Sequence, residues 1–245
     1  MNCDAIAGAY RWMEYAAFGK ALERCRCSLL DRLGASRHAL VLGDGDGRFL
    51  AAFASRHPTV TIDYVDVSDA MLKLAERRLH SRPDVNRSRI HFHRIDVRIL
   101  DWQAPHYDLI ACHFFFDVFA QAELADVLQR ISQAAIPRAK WLVSEFDLPP
   151  GRLRRAGALI LLRIMYGFFR LATGLANQEL PEWRPLLESH GFSRDASSSE
   201  RGGFIVSELW VRNGCIEPPD GKCSPPGAHR DFGGDTLPVQ RFEGS

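Results

Sequence analysis

Four apolar residues, Ala39-Leu40-Val41-Leu42, run directly into Gly43-Asp44-Gly45-Asp46-Gly47, and an amphipathic helix is predicted from Arg48 to Arg56. Glycines at alternate positions let the backbone turn sharply and approach a neighbour with no Cβ in the way. A buried strand, a glycine turn and a helix in this order form the opening unit of an open α/β sheet that binds a nucleotide-like ligand. The dinucleotide version needs a third glycine in Gly-x-Gly-x-x-Gly. Counted from Gly43 or from Gly45, that position holds Arg48 or Leu50. Two aspartates within the turn also oppose a phosphate, which a helix N-terminus would otherwise attract. Asp44 and Asp46 suit a ligand that carries positive charge and no phosphate. S-adenosylmethionine (SAM), with its ammonium and sulfonium groups, is such a ligand.

The next strand, Val60 to Val65, ends at Asp66, an acidic residue about 20 positions beyond the glycine turn and placed to accept from ribose hydroxyls. Val67-Ser68-Asp69-Ala70-Met71-Leu72 follows. Ser68 or Asp69 is the expected N-cap, and Met71, Leu72, Ala75 and Leu79 form the apolar face of a helix. Asp66 to Leu72 match Asp-x-Ser-x-x-Met-Leu, and with the glycine loop before them the chain resembles the class I SAM-dependent methyltransferases. The resemblance implies SAM as cofactor. It places the methionine part against Gly43, Asp44, Gly45, Asp46, Gly47 and His113, the ribose on Asp66, and the adenosine beside Val67, Ser68, Met71, Asp96 and Val97. One departure stands out: the acidic residue that the family usually carries two positions before the first glycine is Val41 here. The loop also resembles the Gly-Gly-Gly-Asp-Gly turn of aminopropyltransferases, which bind decarboxylated SAM, but no second catalytic aspartate pair of that kind is present.

Further strands are predicted at Arg89–Ile95, Tyr107–Cys112 and Trp141–Phe146, and Phe192–Glu200 and Phe204–Arg212 read as a hairpin through Arg201-Gly202-Gly203. The expected fold is α/β, a doubly wound, seven-stranded, mostly parallel Rossmann-like sheet with an antiparallel C-terminal hairpin. Three regions follow: an N-terminal helical lid over 1–37, the methyltransferase domain over 38–212 with an inserted helix at about 152–175, and a tail over 213–245. The tail holds five prolines and six glycines with little apolar periodicity, and disorder is expected there.

Composition narrows the classes of partner. With 31 basic and 30 acidic side chains the net charge is +1, which argues against a nucleic-acid binder. Six cysteines (3, 25, 27, 112, 215, 223) form no Cys-x-x-Cys pair, so neither a disulfide framework nor a metal site is expected. No basic-then-apolar leader is apparent at the start of the sequence, and a reduced, cytoplasmic setting is the expectation.

In open α/β sheets the ligand lies at the carboxyl ends of the strands. There the run His113-Phe114-Phe115-Phe116-Asp117 is the expected acceptor side: Phe114, Phe115 and Phe116 as a poorly hydrated wall, Asp117 as an orienting group or helix cap, and His113 as the candidate general base. Glu145 and Asp147 end the fifth strand without the Asp-Asn pair of metal-dependent catechol-type enzymes. An Asn/Asp-Pro-Pro-Tyr/Phe motif, the mark of many nucleic-acid amino-methyltransferases, is also absent. The segment 148–178 has no carboxylate and carries Arg152, Arg154, Arg155, Arg163 and Arg170. Two readings stay open for it: a roof over the acceptor pocket, or an amphipathic helix resting on a membrane. The expected function is methyl transfer to oxygen or carbon of a small, apolar or aromatic acceptor. The alternatives are an aminopropyltransferase-like enzyme and a non-catalytic SAM-binding regulatory protein.

Overall fold

The computed structural model describes residues 18–100, 104–173 and 180–214, with backbone only for 168–173. Most of the expected tail, and Tyr10 and Trp12 of the expected lid, lie outside the described residues. Seven strands form one sheet: β1 (His38–Leu42), β2 (Thr61–Asp66), β3 (Ile90–Arg94), β4 (Tyr107–His113), β5 (Ala135–Phe146), β6 (Phe192–Glu200) and β7 (Ile205–Arg212), in the order β3-β2-β1-β4-β5-β7-β6. The pairs among β1 to β5 are parallel, and β7 runs antiparallel to both β5 and β6.

Helices α1 (Ala21–Cys27), α2 (Arg48–Arg56), α3 (Asp69–His80), α4 (Gln121–Gln133), α5 (Arg152–Thr173) and α6 (Arg184–Ser189) connect or flank the strands. Strand periodicity decides which face each side chain takes. Leu40 and Leu42 of β1 join the core packed by α4 and α6, with Trp141, Trp183 and Trp210, whereas Ala39 and Val41 join the opposite core with Phe49, Phe53 and Tyr64. A third, smaller cluster brings α1 and α5 together over the ends of β5 and β7 through Leu22, Cys25, Phe146, Leu162, Tyr166 and Phe204. This cluster carries the two flanking helices to the carboxyl edge of the sheet.

Two details differ from the sequence expectation. Strand β5 begins at Ala135, well before Trp141, and passes through Pro137. Pairing with β4 slips there, from Tyr107 opposite Ala135 to Leu109 opposite Lys140, and Arg138 takes a positive φ of 63°. A bulge of this kind accommodates a proline that has no N–H for the ladder. Asp117 is not a helix cap: it lies within the single turn Phe116–Val118, and α4 starts only at Gln121, behind Ala120. Among the described residues no helix is long and apolar enough to cross a membrane. Helix α5 nevertheless shows two apolar sides. Ala158, Leu162 and Tyr166 are buried, while Leu153, Ile160 and Ile164 are exposed, flanked by exposed arginines 152, 154 and 163.

Candidate functional site

The glycine turn leaves β1 with positive φ at residues 43, 45 and 47. At Gly43 the requirement is close approach: a Cβ there would clash with the Phe115 ring, and the Gly43 N–H donates to the Val65 carbonyl at 3.1 Å. At Gly47 it is helix packing, since a Cβ would meet Ala75 of α3 at 2.7 Å. Gly47 stands at the N-cap of α2 but has no side chain to cap with. Asp44 caps the helix in its place, and its carboxylate accepts from the N–H groups of Leu50 (3.0 Å) and Phe49 (3.4 Å). Burial pushes the Asp44 carboxyl up to about 7, opposed by the nearby Arg26 charge. Asp46 pairs with Arg78 of α3 at 2.5 Å and with Arg48 at 3.1 Å. Both loop carboxylates therefore have partners within the protein. These contacts fix the loop.

Moving outward from β1, the Asp66 carboxylate ends β2 and accepts from the Ser68 N–H at 2.8 Å, and Ser68 caps α3 through the Met71 N–H at 3.3 Å. Met71 and Val97 are buried, and Val67 is exposed. Asp96, just beyond β3, accepts from the Arg98 N–H at 3.0 Å and pairs with its guanidinium at 3.3 Å. Because β3, β2, β1 and β4 are neighbours, Asp96, Asp66, the 43–47 turn and His113 are brought along one edge of the sheet.

His113 closes β4 and is buried, with its ring 4.3 Å from that of Phe49. Nδ1 lies 2.9 Å from the Ser144 hydroxyl, and Nε2 is buried without a hydrogen-bond partner. Burial first, and Arg26 second, hold this imidazole well below the usual histidine range. Nε2 is left with one hydrogen bond to make. Phe114 follows at φ 54°, a strained position for an aromatic residue. Its ring packs on Phe146 at 4.9 Å, and the Arg26 guanidinium lies 4.9 Å from its centroid. Phe115 is half-buried against Gly43. Phe116 is not part of an acceptor wall: it is fully buried between Trp141 and Trp183.

The turn after β4 is held by a residue that the sequence reading weighed only for a metal site it did not expect. Glu145 is buried at the end of β5, and its Oε1 accepts from the N–H groups of Phe115 (2.8 Å) and Phe116 (2.7 Å). Asp117 is buried near it, and the buried Tyr166 phenol of α5 lies within electrostatic reach of both acids. Burial raises both acids, and the repulsion between them lifts Glu145 further. Asp147 turns away to pair with Arg184 at 2.7 Å. Among the described residues no group of three His, Cys, Asp or Glu could hold a metal. Arg26, Glu145 and Tyr166 escape a motif-based search because each reaches the site from an element whose own sequence reads as ordinary core helix or strand.

The family described as a methyltransferase domain matches residues 40–140. Among solved structures, magnesium protoporphyrin IX methyltransferase from Synechocystis PCC 6803, with bound S-adenosylhomocysteine (SAH), is similar at a TM-score of 0.63 and 18% identity. That match covers 86% of this chain and 97% of the other. Mitomycin 7-O-methyltransferase gives 0.63 and 18%, covering 86% of this chain and 61% of that one. An N-methyltransferase from Bradyrhizobium japonicum WM9 gives 0.54 and 14%, covering 78% and 97%. Identities this low speak for the fold alone. No curated protein matches this chain.

The buried acids make a testable claim about stability. A carboxyl whose folded pKa is raised binds its proton more tightly in the native state than in the unfolded one. Its contribution is fully present below the unfolded value of about 4.3 and is lost as pH rises through the folded value. Glu145→Gln keeps an accepting oxygen but cannot ionise, so its unfolding free energy in urea should fall less than the wild type's as pH rises above the ordinary carboxylate range. Glu145→Ala should lose on the order of 2–4 kcal/mol, because it orphans two buried N–H groups and leaves a cavity. Equal pH slopes for wild type and Glu145→Gln would contradict this assignment.

Proposed function

We propose that this chain, a class I SAM-dependent methyltransferase, transfers the methyl group of SAM to a small, apolar or aromatic acceptor. The observation that carries the cofactor assignment is the row of groups along adjacent strand ends: the 43–47 turn, Asp66, Asp96, and the buried His113 Nε2 that lacks a partner. These groups fit the cofactor as a set. Asp66 would hold the ribose hydroxyls and Asp96 the adenine amino group, with Val67, Ser68, Met71 and Val97 around the adenosine. The backbone of Gly43, Asp44, Gly45, Asp46 and Gly47 would line the methionine part, where His113 Nε2 has one hydrogen bond left to make. When bound, SAM supplies an electrophilic methyl group on a sulfonium.

On the acceptor side, Phe114 and Phe115 offer half-buried aromatic surface, and α5 with Tyr166 covers the ends of β4 and β5. Orientation and exclusion of water dominate catalysis in such a site. Where the acceptor carries an O–H, its proton needs a nearby base. Asp117 is better suited to that role than His113, since burial makes the carboxylate more basic and the imidazole less so. The rate should then rise with pH through a range above that of ordinary carboxylates.

A peripheral contact with anionic lipid is also proposed for α5. It rests on the exposed Leu153, Ile160 and Ile164 with arginines on both sides. Co-sedimentation with phosphatidylglycerol vesicles should be clear for the wild type and lost in a Leu153→Ser/Ile160→Ser/Ile164→Ser variant. Absence of binding by the wild type would remove the idea.

The cofactor assignment is tested by calorimetry with SAM and SAH. Wild type should bind both in the micromolar range, and Asp66→Ala should lose roughly 10-fold or more in affinity with the loss of a charge-assisted ribose contact. Labelled-methyl transfer to a panel of phenols, quinones and lipids separates an enzyme from a regulatory binder. Binding with no transfer to any of them would favour the regulatory reading.

A further inference from the structure

Three side chains at one level of the sheet form a buried polar row. His113 ends β4 and stands opposite Ser144 of β5, which stands opposite Ser207 of β7. By the alternation of a strand they share the face of Ala111, Leu142 and Leu209. Both serines are fully buried, and an apolar residue would pack in either place with no polar group to satisfy. Ser144 Oγ lies 2.9 Å from His113 Nδ1 and donates to Ser207 Oγ at 3.0 Å. A hydroxyl has one proton. Given to Ser207, it is not available to Nδ1, so Ser144 meets the ring as an acceptor. The Cys25 thiol of α1 is also within reach of Ser144. Burial pushes it up to about 12, so it keeps its proton and competes only as a weak sulfur acceptor.

From this geometry we infer that Ser144 and Ser207 are positioning residues that hold His113 as the Nδ1–H tautomer, so that Nε2 presents a lone pair and the ligand group that meets it must be a donor. The tautomer of a histidine is set by the hydrogen bond its other nitrogen makes. Burial holds this imidazole well below the usual histidine range, so above about pH 7 the ring has a single proton to place. Placed on Nδ1, that proton is taken by Ser144, and Nε2 is left as a buried acceptor without a partner. The ligand half of the inference rests on the cofactor reading above. There the donor is the ammonium of the methionine part, in a chain that has Val41 where an acid was expected. An Nε2–H would instead set donor against donor and repel the ammonium. Ser207 bonds Ser144 and not the ring, yet by taking the Ser144 proton it decides the sign of the contact.

Two-bond nitrogen–proton correlation spectra of the isotope-labelled full chain read the tautomer directly, with the His113 signals identified by their loss in His113→Gln. Wild type should carry the ring proton on Nδ1. Ser207→Ala leaves the Ser144 proton without its oxygen acceptor, so the hydroxyl turns to Nδ1 and the ring proton should move to Nε2. Calorimetry reads the consequence with SAH and with its deaminated analogue, which keeps the carboxylate and lacks the ammonium. Ser207→Ala should weaken SAH by roughly 10-fold and the analogue by less than about 3-fold. A ring proton on Nε2 in the wild type overturns the inference, and that result needs no variant to fold. A tautomer unchanged in Ser207→Ala, or equal weakening of the two ligands, overturns it as well. Wild type with the proton on Nδ1 that binds neither ligand would instead defeat the cofactor reading and uphold the tautomer assignment.

Discussion

Where the chain leaves β1, the first N–H groups of α2 must find acceptors away from water, and the glycine at the N-cap has no side chain to provide one. Asp44 reaches forward from inside the turn and takes two of them. That contact sets the entry angle of α2, which in turn brings Gly47 against Ala75 and lets Asp46 meet Arg78. The same device recurs at the exit from β4, where Glu145 accepts from the N–H groups of Phe115 and Phe116. Two buried carboxyls thus shape the two turns between which a ligand would lie. A buried polar group left unmade costs more than a made one contributes, so neither turn can relax without penalty.

The electrostatic character of the edge follows from this arrangement. Burial raises the carboxyls of Asp44 and Glu145, which hold the two turns, and keeps the His113 imidazole well below the usual histidine range. The Arg26 guanidinium of α1 is buried across the Phe114 ring. On the other side, α5 lays Tyr166 against the Asp117–Glu145 pair. The sheet supplies the backbone turns, and the two flanking helices pack together beside them. Roles of this kind belong to the proposed function and rest on the positions just described.

Much of the fold was legible because its signals are local. The apolar run 39–42, the helix 48–56, the Ser68 cap and the hairpin around Gly202 all depend on residues a few positions apart. The strand ends were legible for the same reason, so the candidate residues could be placed at the carboxyl ends of the strands. What each side chain does there was not legible. Asp46 finds Arg78 from the next helix, and Glu145 finds the turn at Phe115, each some thirty residues distant. Phe116 sits in the core and Phe114 at the site although they are near neighbours in one phenylalanine run, because the turn with positive φ at Phe114 re-aims everything after it. The early start of β5 was hidden by Pro137, which composition alone assigns to a loop.

The central claim is that one ligand spans the turn after β1 and the ends of β2, β3 and β4. Hydrogen exchange with and without saturating SAH addresses it without any knowledge of the acceptor. The predicted result is slowed exchange together in four separated segments, 43–47, 66–68, 96–97 and 113–116, with little change along β6 and the exposed side of α4. Protection of the 43–47 turn alone, or of none of the four, would contradict it.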